Sequence, residues 1–131
     1  MIFVDTGIWF SLFVEKEPSH YRTLEWFDLV AEPLATSDYV VDETLTLLLK
    51  RNEHNKALKF GKSVIEEQAA ILTFVNESQF NRSWILFQKL SAFGLSFTDC
   101  TSHIIARDLG VNKIASFDRH FLTTGKFQVV P

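Results

Sequence analysis

Short, continuous apolar segments alternate along this chain with longer segments in which apolar residues recur at helical spacing. Ile2–Val4, Ala69–Val75, Ile114–Phe117 and Phe127–Val130 are the clearest apolar segments. Runs that are apolar throughout, rather than at every second position, are typical of strands buried on both faces of a parallel sheet. The alternation therefore predicts an α/β domain in which helices cover both sides of a parallel sheet.

Helical segments are recognised by apolar residues three or four positions apart and by the residues that bound them. Pro33 ends the second helical segment, and Ser37 or Asp38 can cap the third. Leu34–Thr36, between them, is long enough only for a very short strand. We expect helices from near Gly7, from Pro18 to Ala31, over Tyr39–Arg51, over Glu53–Gln68 with Ala57, Leu58, Val64 and Ile65 inward, from Phe80 to Gly94, and from Thr98 or Asp99 to Leu109.

Size and composition fit one domain that comprises residues 1–131, because 47% of the residues are hydrophobic and can form a proper core. No window approaches the roughly 18 consecutive apolar residues of a membrane span. The first residues lack the basic stretch of a secretory signal. Cys100 is the only cysteine, which excludes an internal disulfide and a multi-cysteine zinc site. We therefore expect a protein of the reducing cytoplasm, without a membrane partner.

Four acidic residues, far apart in sequence, each lie at or just after an apolar segment. They are Asp5 after Met1–Val4, Glu43 within Tyr39–Leu49, Asp99 after Leu95–Phe97, and Asp118 after Ile114–Phe117. A parallel sheet brings the carboxyl ends of its strands to one edge, where ligands bind. A right-handed crossover from Asp99 through its helix would return Asp118 to the edge that carries Asp5.

Each acid also has an ordinary explanation. Asp5 and Asp99 can be helix caps, and Asp118 can be a turn residue. Glu43 projects from an apolar stripe, where a carboxylate is costly unless it is paired, metal-bound or at the edge of the stripe. Convergence of all four at one place favours a negatively charged pocket that needs cations, with at least one pKa raised in the metal-free state.

A carboxylate pocket restricts the chemistry that the chain can perform. Hard oxygen ligands select Mg²⁺ or Mn²⁺, and such ions can promote in-line attack on a phosphodiester. The formal net charge of −3 becomes +1 once the four acids are set aside, so the remaining surface does not oppose a phosphate-bearing substrate.

Several other residues have a weaker signal. His103 lies one helical turn after Asp99, and we expect a partly exposed histidine, with support of Asp99 as the alternative. A basic helix face is more typical of a solvated surface than of a phosphate site. Five aromatic residues could either pack in the core or remain exposed at a dimer surface. The basic residues are Arg51, Lys56, Lys59 and Lys62, and the aromatic residues are Trp9, Phe10, Phe13, Trp26 and Phe27.

The four acids sit in the stretches IFVDT (2–6), TSDYVVDET (36–44), SFTDC (96–100) and ASFDRHF (115–121). In this order and spacing, the stretches resemble the acidic blocks of PIN-domain proteins, above all those of the VapC-like toxin branch. The resemblance covers essentially the whole chain. It implies a three-layer α/β/α sandwich with a five-stranded parallel sheet, and Mg²⁺- or Mn²⁺-dependent cleavage of RNA.

The resemblance also carries catalytic and metal-binding roles to Asp5, Glu43, Asp99 and Asp118. It implies a homodimer and, for a toxin of a type II toxin–antitoxin pair, a small antitoxin partner. Cys100 stands where a small residue such as alanine is common, which should leave Asp99 in place.

Three alternatives differ in class. Asp5-Thr6-Gly7 also spells the aspartic protease signature, but that fold is nearly all-β, whereas this chain has at least five helical segments. Phosphatases and receiver domains share an acid after the first strand, yet would leave Glu43 without a purpose. A non-catalytic PIN-like module that binds RNA or protein stays open.

Overall fold

Five short parallel strands form the central sheet. The structure is a computed structural model that describes residues 1–121 in full, the backbone of 122–124, and residues 126–131. The strands are β1 (Ile2–Val4), β2 (Leu34–Ser37), β3 (Ile71–Thr73), β4 (Lys113–Ala115) and β5 (Gln128–Val130). Their order is β3-β2-β1-β4-β5, with every neighbouring pair parallel. All three residues of the central strand β1 are buried, as its continuous apolar sequence predicted.

Helices connect successive strands. They are α1 (Thr6–Phe13), α2 (His20–Leu29), α3 (Asp38–Lys50), α4 (His54–Gly61), α5 (Glu77–Leu90) and α6 (Phe97–Asp108), with a π-helical turn at Lys62–Glu66 and 3₁₀ turns at Ser91–Phe93 and Arg119–Thr124. Right-handed crossovers place α1–α4 on one face of the sheet and α5 and α6 on the other. The predicted three-layer α/β/α sandwich is confirmed. Among the described residues, no helix has the length and apolar content needed to cross a membrane.

The core between the α1–α4 layer and the sheet is rich in aromatic residues. Trp9 is 1% exposed, and its ring meets Phe60 edge-on with centroids 5.7 Å apart. Its indole N–H donates to Thr36 Oγ1 at 3.2 Å, which satisfies the one polar atom of this side chain. Phe10 is also buried. The structure therefore assigns Trp9 and Phe10 to the core, and not to an exposed dimer surface.

The segment expected to be one helix over Glu53–Gln68 differs from the prediction. Helix α4 ends at Gly61 and the chain continues as a π-helical turn. Ala57 and Val64 are buried as expected, but Leu58 and Ile65 are 62% and 48% exposed. The prediction that these two face inward was wrong, because the buried stripe consists of Ala57, Phe60 and Val64 and does not extend to the next position along the chain.

Strand β3 is also shorter than the predicted Ala69–Val75 segment. It lies at the edge of the sheet, and pairing ends at Thr73. Beyond it, the Val75 N–H donates to Asp38 Oδ1 at 2.9 Å instead of extending the ladder. Phe74 is 68% exposed, so this apolar run is longer than the strand it contains.

Candidate active site

The four predicted acids line one hollow at the carboxyl edge of the sheet. It has a volume of about 470 Å³. It opens at the ends of the neighbouring strands β1 and β4, where the direction of the strand order changes. Parallel sheets bind ligands at such a switch point. We call it the acidic hollow. Its lining consists of Asp5, Thr6, Gly7, Glu43, Leu47, Ser96, Asp99, Ser116, Phe117 and Asp118.

Asp5 forms part of the floor of the acidic hollow. It occupies the N-cap position of α1 and is 6% exposed, but its side chain makes no capping hydrogen bond. Instead, its Oδ2 accepts a hydrogen bond from the Ser116 hydroxyl at 2.9 Å. The ordinary explanation, a side chain that caps the helix, therefore does not account for this aspartate.

Asp99 is the second buried acid, at 8% exposed. Helix α6 begins at Phe97, one residue before the predicted start, and Ser96 is its cap. The Asp99 N–H donates to Ser96 Oγ at 3.1 Å, and the Ser96 N–H donates to Asp99 Oδ2 at 2.9 Å. Asp99 is thus the third residue of a capping box and not the cap itself, and this box fixes where its carboxylate lies.

Glu43 and Asp118 form the half-buried rim of the hollow. Glu43 projects from α3 and is half-buried, while the preceding Asp42 is exposed. Asp118 Oδ1 accepts a hydrogen bond from the His120 N–H at 2.9 Å and lies 2.6 Å from His120 Nδ1. Asp118 is therefore both the predicted turn residue and a member of the acidic cluster.

Mutual repulsion and burial change the acidity of the two floor residues. Burial and the neighbouring Asp99 charge raise the pKa of Asp5 to about 7, against the lowering effect of hydrogen bonds from Thr6 and Ser116. Burial also raises the pKa of Asp99, and the charges of Asp118 and Glu43 add to this effect. The prediction that at least one clustered acid has a raised pKa is confirmed.

Ser116 is a site residue to which the sequence interpretation gave no role. Its hydroxyl donates to Asp5 Oδ2 and accepts a hydrogen bond from the Asp118 N–H, both at 2.9 Å. One side chain therefore ties the carboxylate after β1 to the turn after β4. The signal available in the sequence is a hydroxyl residue two positions before an acid at a strand end, the spacing of a serine turn.

The sequence model of the PIN domain family matches residues 2–126. The chain belongs to the PIN domain family. Both this membership and the resemblance to the VapC-like branch are confirmed, because proteins similar to this chain over most of its length are named VapC.

Two curated proteins have such similarity to this PIN domain chain. The 23S rRNA-specific endonuclease VapC20 of Mycobacterium tuberculosis is 27% identical over 131 residues, which is all of this chain and 99% of that protein. A VapC ribonuclease of Archaeoglobus fulgidus is 26% identical over 123 residues, covering 90% of this chain and 77% of that protein.

Solved structures agree with the fold of this PIN domain. The crystal structure of Mycobacterium tuberculosis VapC20, described as a Sarcin-Ricin loop cleaving toxin, superposes with a TM-score of 0.92 at 26% identity, and each chain is covered completely. The VapBC2 structure of Rickettsia felis, bound to a DNA fragment from its promoter, gives a TM-score of 0.69 over 99% of this chain and 98% of that one. At 13% identity, the second comparison supports the fold alone.

The donor atoms of the acidic hollow suit a hard divalent cation. Carboxylates keep acceptor capacity after one or two hydrogen bonds, and the hollow brings four of them together with no lysine or arginine among the described residues of its lining. Thr6 Oγ1, also in the lining, is buried and makes no hydrogen bond within the described part of the chain. Among the described residues, no group of three acidic, histidine or cysteine side chains is already arranged to coordinate an ion. The carboxylates would therefore have to turn toward an ion.

His103 and Cys100, on α6 behind Asp99, are not part of the acidic hollow. His103 is 2% exposed, and its ring meets Phe127 edge-on with centroids 4.8 Å apart. The expectation of a partly exposed histidine was therefore wrong, because Phe127, the residue before β5, packs against this face of α6. Cys100 is buried, and burial raises the pKa of its thiol to about 11, which makes it a packing residue and not a nucleophile.

Proposed function

We propose that this chain is a divalent-metal-dependent endoribonuclease and the toxin component of a type II toxin–antitoxin pair. The observation that carries the proposal is the convergence of Asp5, Glu43, Asp99 and Asp118, from four distant segments, on one hollow. The names of the VapC20 and VapC relatives support RNA as the substrate. The proposal covers residues 1–131 as one catalytic domain.

We assign Mg²⁺ or Mn²⁺ to the four carboxylates of the acidic hollow. A raised pKa for Asp5 and Asp99 is what an acidic cluster shows when no cation balances it, which supports a site built for one. When bound, such an ion would supply Lewis-acid chemistry for hydrolysis of a phosphodiester.

The protein residues would hold the reacting groups in place. Ser116 keeps Asp5 and the Asp118 turn at a fixed separation, and Ser96 holds Asp99 through the capping box. Glu43, on the rim, would hold the ion together with the buried pair Asp5 and Asp99. Carboxylates anchored in this way would need only to turn toward the ion, which limits the reorganisation at the site.

The partners follow from the same proposal. We expect a homodimer and a small antitoxin in the cytoplasm, and the similarity to VapC20, whose structure is described as that of a toxin, supports the second expectation. Light scattering of the purified chain would establish the oligomeric state. A short neighbouring reading frame whose product co-purifies with the chain would establish the antitoxin.

Cleavage of a labelled RNA by the purified protein tests the proposed reaction. We expect strand cleavage in Mg²⁺ or Mn²⁺ and none in excess EDTA, with recovery when the metal is restored. Asp5→Asn should abolish cleavage, because it removes a charge that the ion requires. Asp28→Asn, which removes an exposed carboxylate on α2, is the matched control and should cleave like the parent.

Two results would count against the reaction. Undiminished cleavage in EDTA would exclude metal dependence, and full activity of Asp5→Asn would exclude the acidic hollow. RNA binding without cleavage in any metal would favour the alternative, a non-catalytic PIN-like binding module.

A further inference from the structure

A second cleft opens directly beside the acidic hollow. It has a volume of about 270 Å³ and is lined by Arg22, Ser116, Phe117, Arg119, Val129 and Pro131. We call it the arginine cleft. Ser116 and Phe117 line both the arginine cleft and the acidic hollow. A group bound in the cleft is therefore next to whatever occupies the hollow.

The two arginines of the cleft keep their charge available for a ligand. Arg22 Nη2 donates to the main-chain oxygen of Pro131 at 3.3 Å, and its Cζ lies 5.8 Å from the centroid of the Phe117 ring. Arg119 is exposed and makes no ion pair or side-chain hydrogen bond with the described residues. Within the part of the chain that the structure describes, neither guanidinium is paired with an Asp or Glu side chain, and planar guanidinium groups bind phosphate in bidentate fashion.

The opposite flank of the acidic hollow has the reverse charge. A cleft of about 410 Å³ shares Glu43 and Leu47 with the hollow, and Lys50 is the one cation among the described residues of its lining. Asp42 and Glu43 line it as well, so its carboxylates outnumber its cation. A polyanion that crosses the hollow is therefore attracted to the arginine flank and not to this one.

An aromatic ring between the two sites adds a second kind of recognition. Phe117 lies between the acidic hollow and the arginine cleft and is 38% exposed. Exposure of an apolar ring to water does not stabilise the fold, so the ring is available for a ligand. Bases of single-stranded RNA stack on exposed aromatic rings, while guanidinium groups bind the phosphates on either side. A cation pair with an exposed ring suits a nucleotide better than an acidic peptide, which has charge but no base.

We propose that the arginine cleft binds the nucleotide next to the scissile bond, with Arg22 and Arg119 on its phosphate and Phe117 against its base. The inference rests on the proposed function, since it assigns another part of the same RNA. It makes these three residues determinants of substrate binding and positioning, separate from the carboxylates that hold the ion.

The experiment measures binding separately from cleavage. Affinity for a labelled single-stranded oligoribonucleotide is determined in the non-cleaving Asp5→Asn background, across a range of salt concentrations. Arg22→Ala with Arg119→Ala should weaken binding by about tenfold per arginine. The slope of log affinity against log salt should also become shallower by about 0.7 for each phosphate that an arginine no longer neutralises.

Two further variants separate charge from geometry. Arg22→Lys with Arg119→Lys should restore the salt slope but not the full affinity, because lysine cannot bind phosphate in bidentate fashion. Phe117→Leu should weaken binding at least about fivefold with an unchanged salt slope, since it removes a stacking surface and no charge. The control is Lys59→Ala with Lys62→Ala, which removes two exposed positive charges outside both clefts and should bind like the parent.

The outcomes distinguish the cleft from the reaction. If the variant with Arg22→Ala and Arg119→Ala binds RNA as tightly as the control with Lys59→Ala and Lys62→Ala, the proposed role of the arginine cleft is wrong. This holds even where the wild type cleaves RNA. Loss of binding to a polyglutamate peptide without loss of RNA binding also overturns it, in favour of an acidic protein partner. Arginine-dependent RNA binding by a chain that cleaves nothing supports the cleft, while the proposed reaction fails.

Discussion

The two ends of helix α6 carry aspartates in opposite electrostatic situations. Asp108, at the last position, accepts two hydrogen bonds from Arg82, at 2.8 and 2.6 Å, and one from Gln79 at 3.1 Å. The Arg82 guanidinium lowers the pKa of Asp108, whereas burial and neighbouring carboxylates raise that of Asp99 at the other end. Within the described part of the chain, the same side chain on the same helix is paired with a cation at one end and lies among carboxylates at the other.

This contrast separates structural from functional carboxylates. Asp108 joins α6 to α5, and its charge is balanced within the chain. Asp99, together with Asp5, lies among like charges in the acidic hollow, an arrangement that costs folding free energy and is balanced only by an external cation. For the two aspartates of α6, pairing with a cation, and not residue type, distinguishes the structural Asp108 from the candidate metal ligand Asp99.

The largest expected effect is on catalysis. Asp99→Asn should lower the single-turnover rate of RNA cleavage at least about a thousandfold, since it removes a carboxylate from the proposed metal site. Asp108→Asn removes the same charge from the same helix and should leave the rate near that of the parent. Equal losses in the two variants would show that the contrast between the helix ends has no functional meaning.

The next effect is on stability and concerns Asp5. Its pKa is raised in the folded state, so the metal-free protein should lose stability as the pH rises from about 4 to about 7, by at most about 4 kcal/mol. Asp5→Asn should remove this loss and be the more stable protein at pH 8 in EDTA. Urea unfolding at several pH values measures the stability of both proteins. Millimolar Mg²⁺ should narrow the difference between them by stabilising the parent.

Titration of His103 should make the free energy of unfolding change with pH in the opposite direction, over much of the same pH range. Burial, with the charges of Arg107 and Lys126, lowers the pKa of His103 to about 4. The stability that comes from its neutral form is complete above about pH 6.5 and is lost as the pH falls toward 4, by at most about 3 kcal/mol. His103→Leu should therefore unfold less readily than the parent at pH 4.5, measured in the Asp5→Asn background so that the two titrations do not cancel.

The sequence was sufficient to predict the parallel sheet and the convergence of the four acids at its edge, because both predictions start from local patterns. The apolar run of Ile2–Val4 and the acid behind it needed no knowledge of distant residues, and right-handed crossovers then brought Asp118 to the same edge. What was missed depends on packing between elements. The role of Ser116 requires that β4 lie beside β1, and the burial of His103 requires that Phe127 pack against α6.

Other errors have a local cause that a single period cannot reveal. Leu58 and Ile65 each lie one position past a buried residue, Ala57 and Val64, on the exposed side of a stripe that is narrower than predicted. The Ser96–Asp99 capping box, in contrast, has a recognisable spacing, and attention to it would have moved the start of α6 and identified Asp99 as its third residue.

The smallest expected effect concerns Asp108 and its pairing with Arg82. The Arg82–Asp108 pair is partly exposed, with side chains 43% and 35% accessible, so solvent and salt screen most of its attraction. Asp108→Asn should lower the melting temperature slightly in low salt, and the difference should shrink in 1 M NaCl. Asp99→Asn should show the reverse in EDTA, with a raised melting temperature, because it relieves repulsion instead of breaking a pair. A fall in the melting temperature of both variants would mean that Asp99 is stabilised in the fold as Asp108 is, and the acidic hollow would then not be a site held in readiness for a cation.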